Sequence, residues 1–140
     1  MDKNMTICEV EETYIEDLNM LDDWFLQYEY LLEISSDMAK IPADLKTDAN
    51  KVKGCQSGVW LVLKCVGDKL HVEADSDALI IRGILAIIVG IFDGRSKDEI
   101  ASFTPSFIEK TNIKKQISTD RFNGINSVMD TIINFAKENL

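Results

Sequence analysis

The first third of the chain carries apolar residues at helical spacing. Residues 6–20 predict a weak helix, whose apolar positions are Ile7, Val10, Tyr14 and Leu18. A stronger stripe follows and predicts a second helix that ends before Pro42. The members of this stripe are Leu21, Trp24, Phe25, Tyr28, Leu31 and Leu32. Asp22 and Asp23 lie at its start, where carboxylates suit the positive end of a helix.

The middle of the chain changes to β-type patterns. Val59–Val66 is rich in β-branched residues, and Lys69–Ala74 alternates polar and apolar positions. Residues 67–68, a Gly-Asp pair, have the form of a two-residue hairpin turn, and such a turn fixes the register of the strands. Continuing that register places Gly58 opposite Asp77, so that both lie at one end of the sheet.

Helical spacing returns after the hairpin. Residues 77–93 are apolar nearly all round, which predicts a central helix with Asp75 or Ser76 as its N-cap and Gly94 as its stop. Residues 96–102 predict a short helix. A last helix starts at Ser118 or Thr119, and its apolar stripe is Ile125, Val128, Met129, Ile132, Ile133 and Ala136.

The order of these elements predicts an α+β fold. A small antiparallel sheet, made of the hairpin plus a short strand, is covered by helices. We expect one domain over residues 1–140, since that length suits a single core and the sequence holds no repeat or low-complexity tract.

Charge and cysteine usage narrow the class of protein. The net charge of −9 does not suit binding to a nucleic-acid backbone. The longest apolar run, residues 78–92, would span roughly 22 Å as a helix, less than the ~30 Å of a membrane core, and no signal peptide is evident. Three cysteines cannot all pair within one chain, which favours a reduced, cytoplasmic protein.

The candidate chemistry lies at Cys55, between Gly54 and Gly58. Glycines beside a stiff strand indicate a loop built to present a thiol, although a buried structural cysteine is the alternative. We expect Lys51, Lys53 and the positive end of the helix after the hairpin to lower the pKa of the thiol modestly.

Other sites for this chemistry are less favoured. His71, the only histidine, lies along the hairpin and away from the loop, so that a Cys–His dyad is not expected. Cys65 faces Leu70 and is expected in the core, and Cys8 is peripheral. The cysteine spacings match neither a dithiol redox site nor a zinc site, so we expect no metal.

The cysteine stretch resembles the G-C-Q-S-x-V-W signature of the SufE family of sulfur acceptors. The likeness is carried by Gly54-Cys55-Gln56-Ser57-Gly58-Val59-Trp60-Leu61, by Asp75-Ser76-Asp77-Ala78, by Arg82-Gly83 and by Thr119-Asp120-Arg121-Phe122-Asn123-Gly124-Ile125. It covers nearly the whole chain from about residue 21. Gly58 is a departure, because the family usually has a larger residue there, and this change is expected to loosen the loop.

The resemblance implies a function and a partner. A pyridoxal-phosphate cysteine desulfurase would deliver persulfide sulfur to Cys55, and this transfer would stimulate the desulfurase. The sulfur would then pass to an iron–sulfur scaffold. The pyridoxal phosphate belongs to the partner, so this chain would carry no cofactor and would not be an enzyme by itself. The family's supporting positions correspond to Asp77 and Arg121, around the motif residues Gln56 and Ser57. The resemblance implies a SufE/NifU-like fold, which related cluster scaffolds share, but those scaffolds need several cysteine ligands and one motif cysteine does not supply them.

Two classes of function remain open from the residues. One is a sulfur carrier that acts with a desulfurase. The other is a stand-alone cysteine enzyme, such as a hydrolase or a thiol transferase, that uses Cys55 as its nucleophile. The absence of a well-placed histidine in the sequence favours the carrier.

Overall fold

The computed structural model describes residues 5–55 and 58–140. Gln56 and Ser57, which belong to the predicted site, lie outside the described residues. The elements in chain order are α1 (Ile7–Asn19), α2 (Trp24–Asp37), a 3₁₀ turn (Ala43–Leu45), β1 (Val59–Val66), β2 (Lys69–Ser76), α3 (Leu79–Phe92), α4 (Lys97–Ala101), α5 (Ile113–Gln116) and α6 (Thr119–Glu138). The α+β fold predicted from the sequence is confirmed.

The hairpin has the predicted register. Val59 pairs with Ser76 and the two strands run antiparallel down to the turn, where Gly67 takes a positive φ of 63°. That backbone conformation is open to glycine and strained for other residues. Beyond the last pair, the Asp77 N–H donates to the Gly58 carbonyl at 3.3 Å. The two residues therefore meet at the end of the sheet, as predicted.

The short third strand is reduced to a single bridge. Among the described residues the sheet has two strands, and Lys51 bridges to Trp60 on the free edge of β1. Two backbone bonds hold this contact, from the Val52 N–H to the Val59 carbonyl and from the Leu61 N–H to the Asn50 carbonyl, both 2.8 Å. This pairing fixes the chain just before Cys55 against the start of β1.

The core is formed around α3. This helix is buried on almost every side, as predicted, and the described parts of the chain contain no helix long and apolar enough to cross a membrane. The predicted apolar stripe of α6 is also confirmed, because all six of its members are buried. The helices α3 and α6 both pack against the hairpin, with α2 against α3.

The predicted stripe of α2 is wrong at Phe25, whereas Leu31 is buried and its other members are half-buried. Phe25 is 68 % exposed, and the buried positions are Gln27, Leu31 and Ser35. Two of these are polar, but their side chains bond locally, with Gln27 donating to the Leu21 carbonyl and Ser35 to the Leu32 carbonyl. A periodicity search finds only apolar residues, so it misses a face whose polar side chains donate to nearby backbone carbonyls.

Neither predicted residue caps α3 as expected. The N-cap is Ala78, which has no side-chain cap bond. The Ser76 hydroxyl does accept from the Ala78 N–H at 3.1 Å, one residue before the helix. Asp75 instead turns its carboxylate toward Arg82 inside the protein, at 2.8 Å from Oδ1 to Nε. A buried guanidinium outcompetes the exposed helix end as a partner for this carboxylate because the low dielectric strengthens the pairing.

The ion pair between Asp75 and Arg82 joins four parts of the chain. The two side chains are only 2 % and 8 % exposed. Arg82 also donates to the Ser35 carbonyl and, at 2.7 Å, to the Met38 carbonyl at the end of α2. Asp75 Oδ2 accepts from the Ile41 N–H at 3.1 Å. Every polar atom of the pair thus has a partner, which a buried charge requires.

These bonds decide how Asp75 titrates. Burial by itself would raise the pKa of Asp75, but the Arg82 bond first, and then the Ser76 and Ile41 N–H groups and the Lys46 charge, hold it below the ordinary value. A lowered carboxylate pKa contributes stability above the unfolded-state pKa of about 3.9. That contribution is lost as the pH falls through the lower folded-state pKa.

We expect Asp75→Asn to lower the free energy of unfolding by about 3–5 kcal/mol, because the substitution leaves the buried Arg82 charge unpaired. Chemical denaturation at pH 7 measures the loss. Asp130→Asn, at an exposed position of α6, is the matched control and is expected to change little. A loss of less than about 1 kcal/mol for Asp75→Asn would contradict this account.

Candidate functional site

The predicted site lies where three segments meet. The strand β1 begins at this end of the hairpin, the segment before it is held by the Lys51 bridge, and α6 passes beside Cys55. Gly54 takes a φ of +84°, a conformation that favours glycine, and directs the chain into Cys55. The sequence prediction of a glycine-dependent loop next to a strand is correct at this residue.

The thiol of Cys55 points inward. It is half-buried, and its Sγ donates to the Gly124 carbonyl of α6 at 3.7 Å. Burial raises the pKa of Cys55 above its ordinary value. The expected lowering is therefore wrong for this state of the protein, and the physical reason is desolvation. Lys51 and Lys53 are both exposed, so water weakens their effect on the half-buried thiol.

Gly124 is a site residue whose role the sequence reasoning missed. It lies inside α6, where glycine costs about 1 kcal/mol relative to alanine. A Cβ at this position would come within 3.0 Å of Cys55 Sγ and 3.3 Å of Cys55 Cα. The missing side chain allows the cysteine to approach the helix. A glycine inside a well-formed helix, directly before its apolar stripe, was the signal for such a contact.

Gly58 is held by hydrogen bonds just before β1. Its N–H donates to Asp77 Oδ1 at 3.1 Å, and its carbonyl accepts from the Ser76 hydroxyl at 2.7 Å. A Cβ here would lie 2.6 Å from the Trp60 ring and 2.8 Å from Asp77. In this chain the space of a larger residue is filled by Trp60, so glycine makes the packing tighter.

The two supporting positions lie on different segments, Asp77 after β2 and Arg121 in α6. Asp77 is exposed and bonds to Gly58, next to the cysteine segment. Arg121 lies in the first turn of α6, one turn before Gly124, and its N–H donates to the Ser118 cap. Within the ranges described, Arg121 and Asp77 form no ion pair with each other. Both remain candidates for contact with a partner.

A groove of about 440 Å³ opens beside the thiol. Its lining residues are Asp48, Lys51, Val52, Lys53, Gly54 and Cys55. A second groove of about 560 Å³ shares Lys51, Val52 and Lys53, and it continues along β1 to Ser127, Thr131 and Phe135 of α6. Two lysines beside a thiol make this groove suited to an anionic sulfur group.

His71 lies apart from this site. It pairs with Lys64 in the hairpin, and its two ring nitrogens lie 3.0 Å from Glu73 and 3.0 Å from Asp93. The Glu73 bond first, and then Asp93, raise the pKa of His71. Both nitrogens are occupied by carboxylates, so the imidazole does not reach Cys55 and a dyad is not formed.

The other two cysteines are both exposed. Cys8 lies on α1, as expected of a peripheral residue. The prediction that Cys65 is buried is wrong, although it faces Leu70 as predicted. Residues 94–95 form backbone hydrogen bonds with Leu70 and so cover the β2 residue of the Cys65–Leu70 pair. The end of β1, which contains Cys65, is exposed. No cluster of three or more metal-binding side chains occurs among residues 5–55 and 58–140.

Comparisons with known proteins agree with this architecture. A family model described as "SufE: Fe-S metabolism associated domain" matches residues 12–136. An uncharacterized SufE-like protein of Rhizobium meliloti (strain 1021) is 36 % identical over 123 residues, covering 84 % of this chain and 88 % of that protein. The sulfur acceptor protein CsdE of Escherichia coli (strain K12) is 28 % identical over 120 residues, covering 84 % and 82 %.

A solved structure shares the fold. The solution structure of a hypothetical protein from Thermus thermophilus has a TM-score of 0.76, with 14 % identity, and the match covers 92 % of this chain and 94 % of that one. The chain is thus a small α+β protein with a thiol held between a hairpin and a long helix. It belongs to the SufE family, which is associated with Fe–S metabolism.

We expect Cys55 to be the slowest of the three thiols to react with iodoacetamide at pH 7.5. Its Sγ is half-buried and bonded to Gly124, whereas Cys8 and Cys65 are exposed. Peptide mass spectrometry at timed intervals measures the three rates in one sample. The guanidinium-unfolded protein is the control, in which the three rates should converge. Faster labelling of Cys55 in the folded protein would contradict the inward position of its thiol.

Proposed function

We propose that this protein accepts sulfur on Cys55 from a pyridoxal-phosphate-dependent cysteine desulfurase and passes it on for iron–sulfur cluster assembly. One observation carries the proposal: in a SufE-family chain, the motif cysteine is held at the end of the hairpin beside a groove lined by lysines. The relative named as the sulfur acceptor protein CsdE supports the same role. We expect the protein to act in the cytoplasm.

The transfer follows the chemistry of thiol–disulfide exchange. The Cys55 thiol first gives its proton to water or to a base of the partner. The thiolate then attacks the outer sulfur of a persulfide on the desulfurase, so that a new S–S bond forms and the old one breaks. The partner cysteine leaves as a thiolate, and Cys55 carries the persulfide. No external oxidant or reductant is needed, because the transferred sulfur keeps its oxidation state.

The desulfurase and this chain would contribute different parts of the reaction. The pyridoxal phosphate belongs to the desulfurase, and this chain contributes the accepting thiol and its surroundings. Asp77 and Arg121, at the end of the hairpin and the start of α6, are proposed to contact the partner around the cysteine motif of Gly54, Gln56, Ser57 and Gly58. Prompt removal of the persulfide would stimulate the desulfurase, since its own cysteine is set free for the next turnover. The downstream acceptor is an iron–sulfur scaffold.

The alternative is a stand-alone enzyme with Cys55 as its nucleophile. Such an enzyme needs a base that takes the thiol proton. The raised pKa of Cys55 and the engagement of His71 with Glu73 and Asp93 both argue against this alternative.

We expect Cys55→Ser to abolish sulfur acceptance and to leave the fold intact, because serine preserves the volume and a hydrogen-bond donor. The measurement is the intact mass after incubation with a cysteine desulfurase and cysteine, read as the gain of a sulfur atom. Cys8→Ser and Cys65→Ser are the matched controls at exposed thiols and should still be loaded. Full loading of the Cys55→Ser protein would overturn the proposal.

We expect His71→Ala to leave the rate of sulfur acceptance nearly unchanged, because the imidazole is engaged in the hairpin. Loss of a true acid–base group lowers a rate by about 10²–10⁴-fold. The initial rate of loading under limiting desulfurase separates the two cases. A fall of about a hundredfold would favour the stand-alone enzyme.

A further inference from the structure

The contact between Cys55 and α6 leaves no room for a side chain. Adding only a Cβ to Gly124 would place it 3.0 Å from Sγ, 3.3 Å from Cα and 3.5 Å from Cβ of Cys55. Even alanine would therefore force the cysteine away by a few tenths of an ångström. The close approach is what brings Sγ within 3.7 Å of the Gly124 carbonyl.

The hydrogen bond in this contact depends on the proton of the thiol. In the observed arrangement S–H donates and the carbonyl accepts. When Cys55 carries a persulfide, Sγ is bonded to a second sulfur about 2.05 Å away and has no proton to donate. A sulfur lone pair then faces the carbonyl oxygen, and a sulfur atom replaces the proton in a contact where even a Cβ on Gly124 would lie 3.0 Å from Sγ.

We propose that Gly124 is a positioning residue that seats the unloaded thiol of Cys55 against α6 and rejects the persulfide, so that sulfur loading itself releases the cysteine from the helix. This proposal rests on the proposed function and adds an order of events to it. The empty protein keeps its thiol sheltered, and the loaded protein presents its outer sulfur.

The groove beside Cys55 gives the released group a place to go. A persulfide is more acidic than a thiol and is an anion at neutral pH. In the contact with α6 this anion would face the Gly124 carbonyl oxygen, which carries no positive charge. Lys51 and Lys53 line the groove and supply positive charge there. Asp48 is the acidic member of the same lining. The two lysines outnumber it, so the groove favours the charged, loaded form over the neutral thiol.

The test uses the full chain with Cys8→Ser and Cys65→Ser, so that Cys55 is the only thiol. Gly124→Ala is compared with Asn123→Ala, a matched control at the neighbouring exposed position of the same helix. The first readout is the rate of iodoacetamide labelling in the thiol form. Gly124→Ala should label several-fold faster than the parent, and Asn123→Ala should label at the parent rate.

The second readout is hydrogen exchange of residues 50–60, followed by mass spectrometry before and after loading with sodium tetrasulfide. In that reaction the Cys55 thiolate attacks a sulfane sulfur and releases trisulfide, so the charges balance. Loading should raise the exchange rate of this segment in the parent to the rate found in the unloaded Gly124→Ala variant. In the Gly124→Ala variant itself, loading should raise the exchange rate little further. Methyl methanethiosulfonate, which places an uncharged S–S group on Sγ, should also release the segment.

Two results would overturn the proposal. One is equal labelling of the parent, Gly124→Ala and Asn123→Ala, and the other is unchanged exchange in the loaded parent. Thermal unfolding of each variant verifies that Gly124→Ala is folded, and the loading arm on the parent tests the proposal without that variant. Neither readout uses a desulfurase. A failure of Cys55 to accept sulfur from a desulfurase is therefore distinguishable from a failure of the contact between Cys55 and Gly124.

Discussion

The fold depends on one buried ion pair. Asp75 and Arg82 are almost fully buried, and they also bond to the end of α2, to Ile41 and to Ser76, the last residue of β2. Because a buried charge is tolerated only with its partners in place, these segments must assemble together. The pair therefore fixes where β2 ends, and the next two residues, Ser76 and Asp77, are the ones that hold Gly58 at the site.

The surroundings of Cys55 favour the protonated thiol over the reactive thiolate. Desolvation stabilises the protonated form of Cys55, whose Sγ donates to the Gly124 carbonyl, and the nearby lysines are exposed. A thiol held in this way resists oxidation, since the thiolate is the form that oxidants attack. The sulfur transfer proposed for Cys55 requires a thiolate. That proposal therefore needs a second arrangement of Cys55, which a partner can select only by binding it better than the first.

A packing constraint accounts for several departures from simple patterns. Glycine at 124 weakens α6 as a helix, and polar residues at 27 and 35 interrupt the buried face of α2. Cys55 lies against Gly124, and the side chains of Gln27 and Ser35 donate to the Leu21 and Leu32 carbonyls. Positions that break a local rule thus mark the contacts on which the arrangement of helices and loop depends.

The sequence by itself determined the helices α1 to α4 and α6, the hairpin register and the motif cysteine. These follow from local information: periodicity sets a helix, and a two-residue turn leaves one register between its strands. Only the tertiary structure decided the environment of each side chain. The pairing of Asp75 with Arg82, the exposure of Cys65 and the raised pKa of Cys55 all depend on residues distant in the chain. Burial and dielectric are properties of the assembled fold, and no stretch of sequence contains them alone.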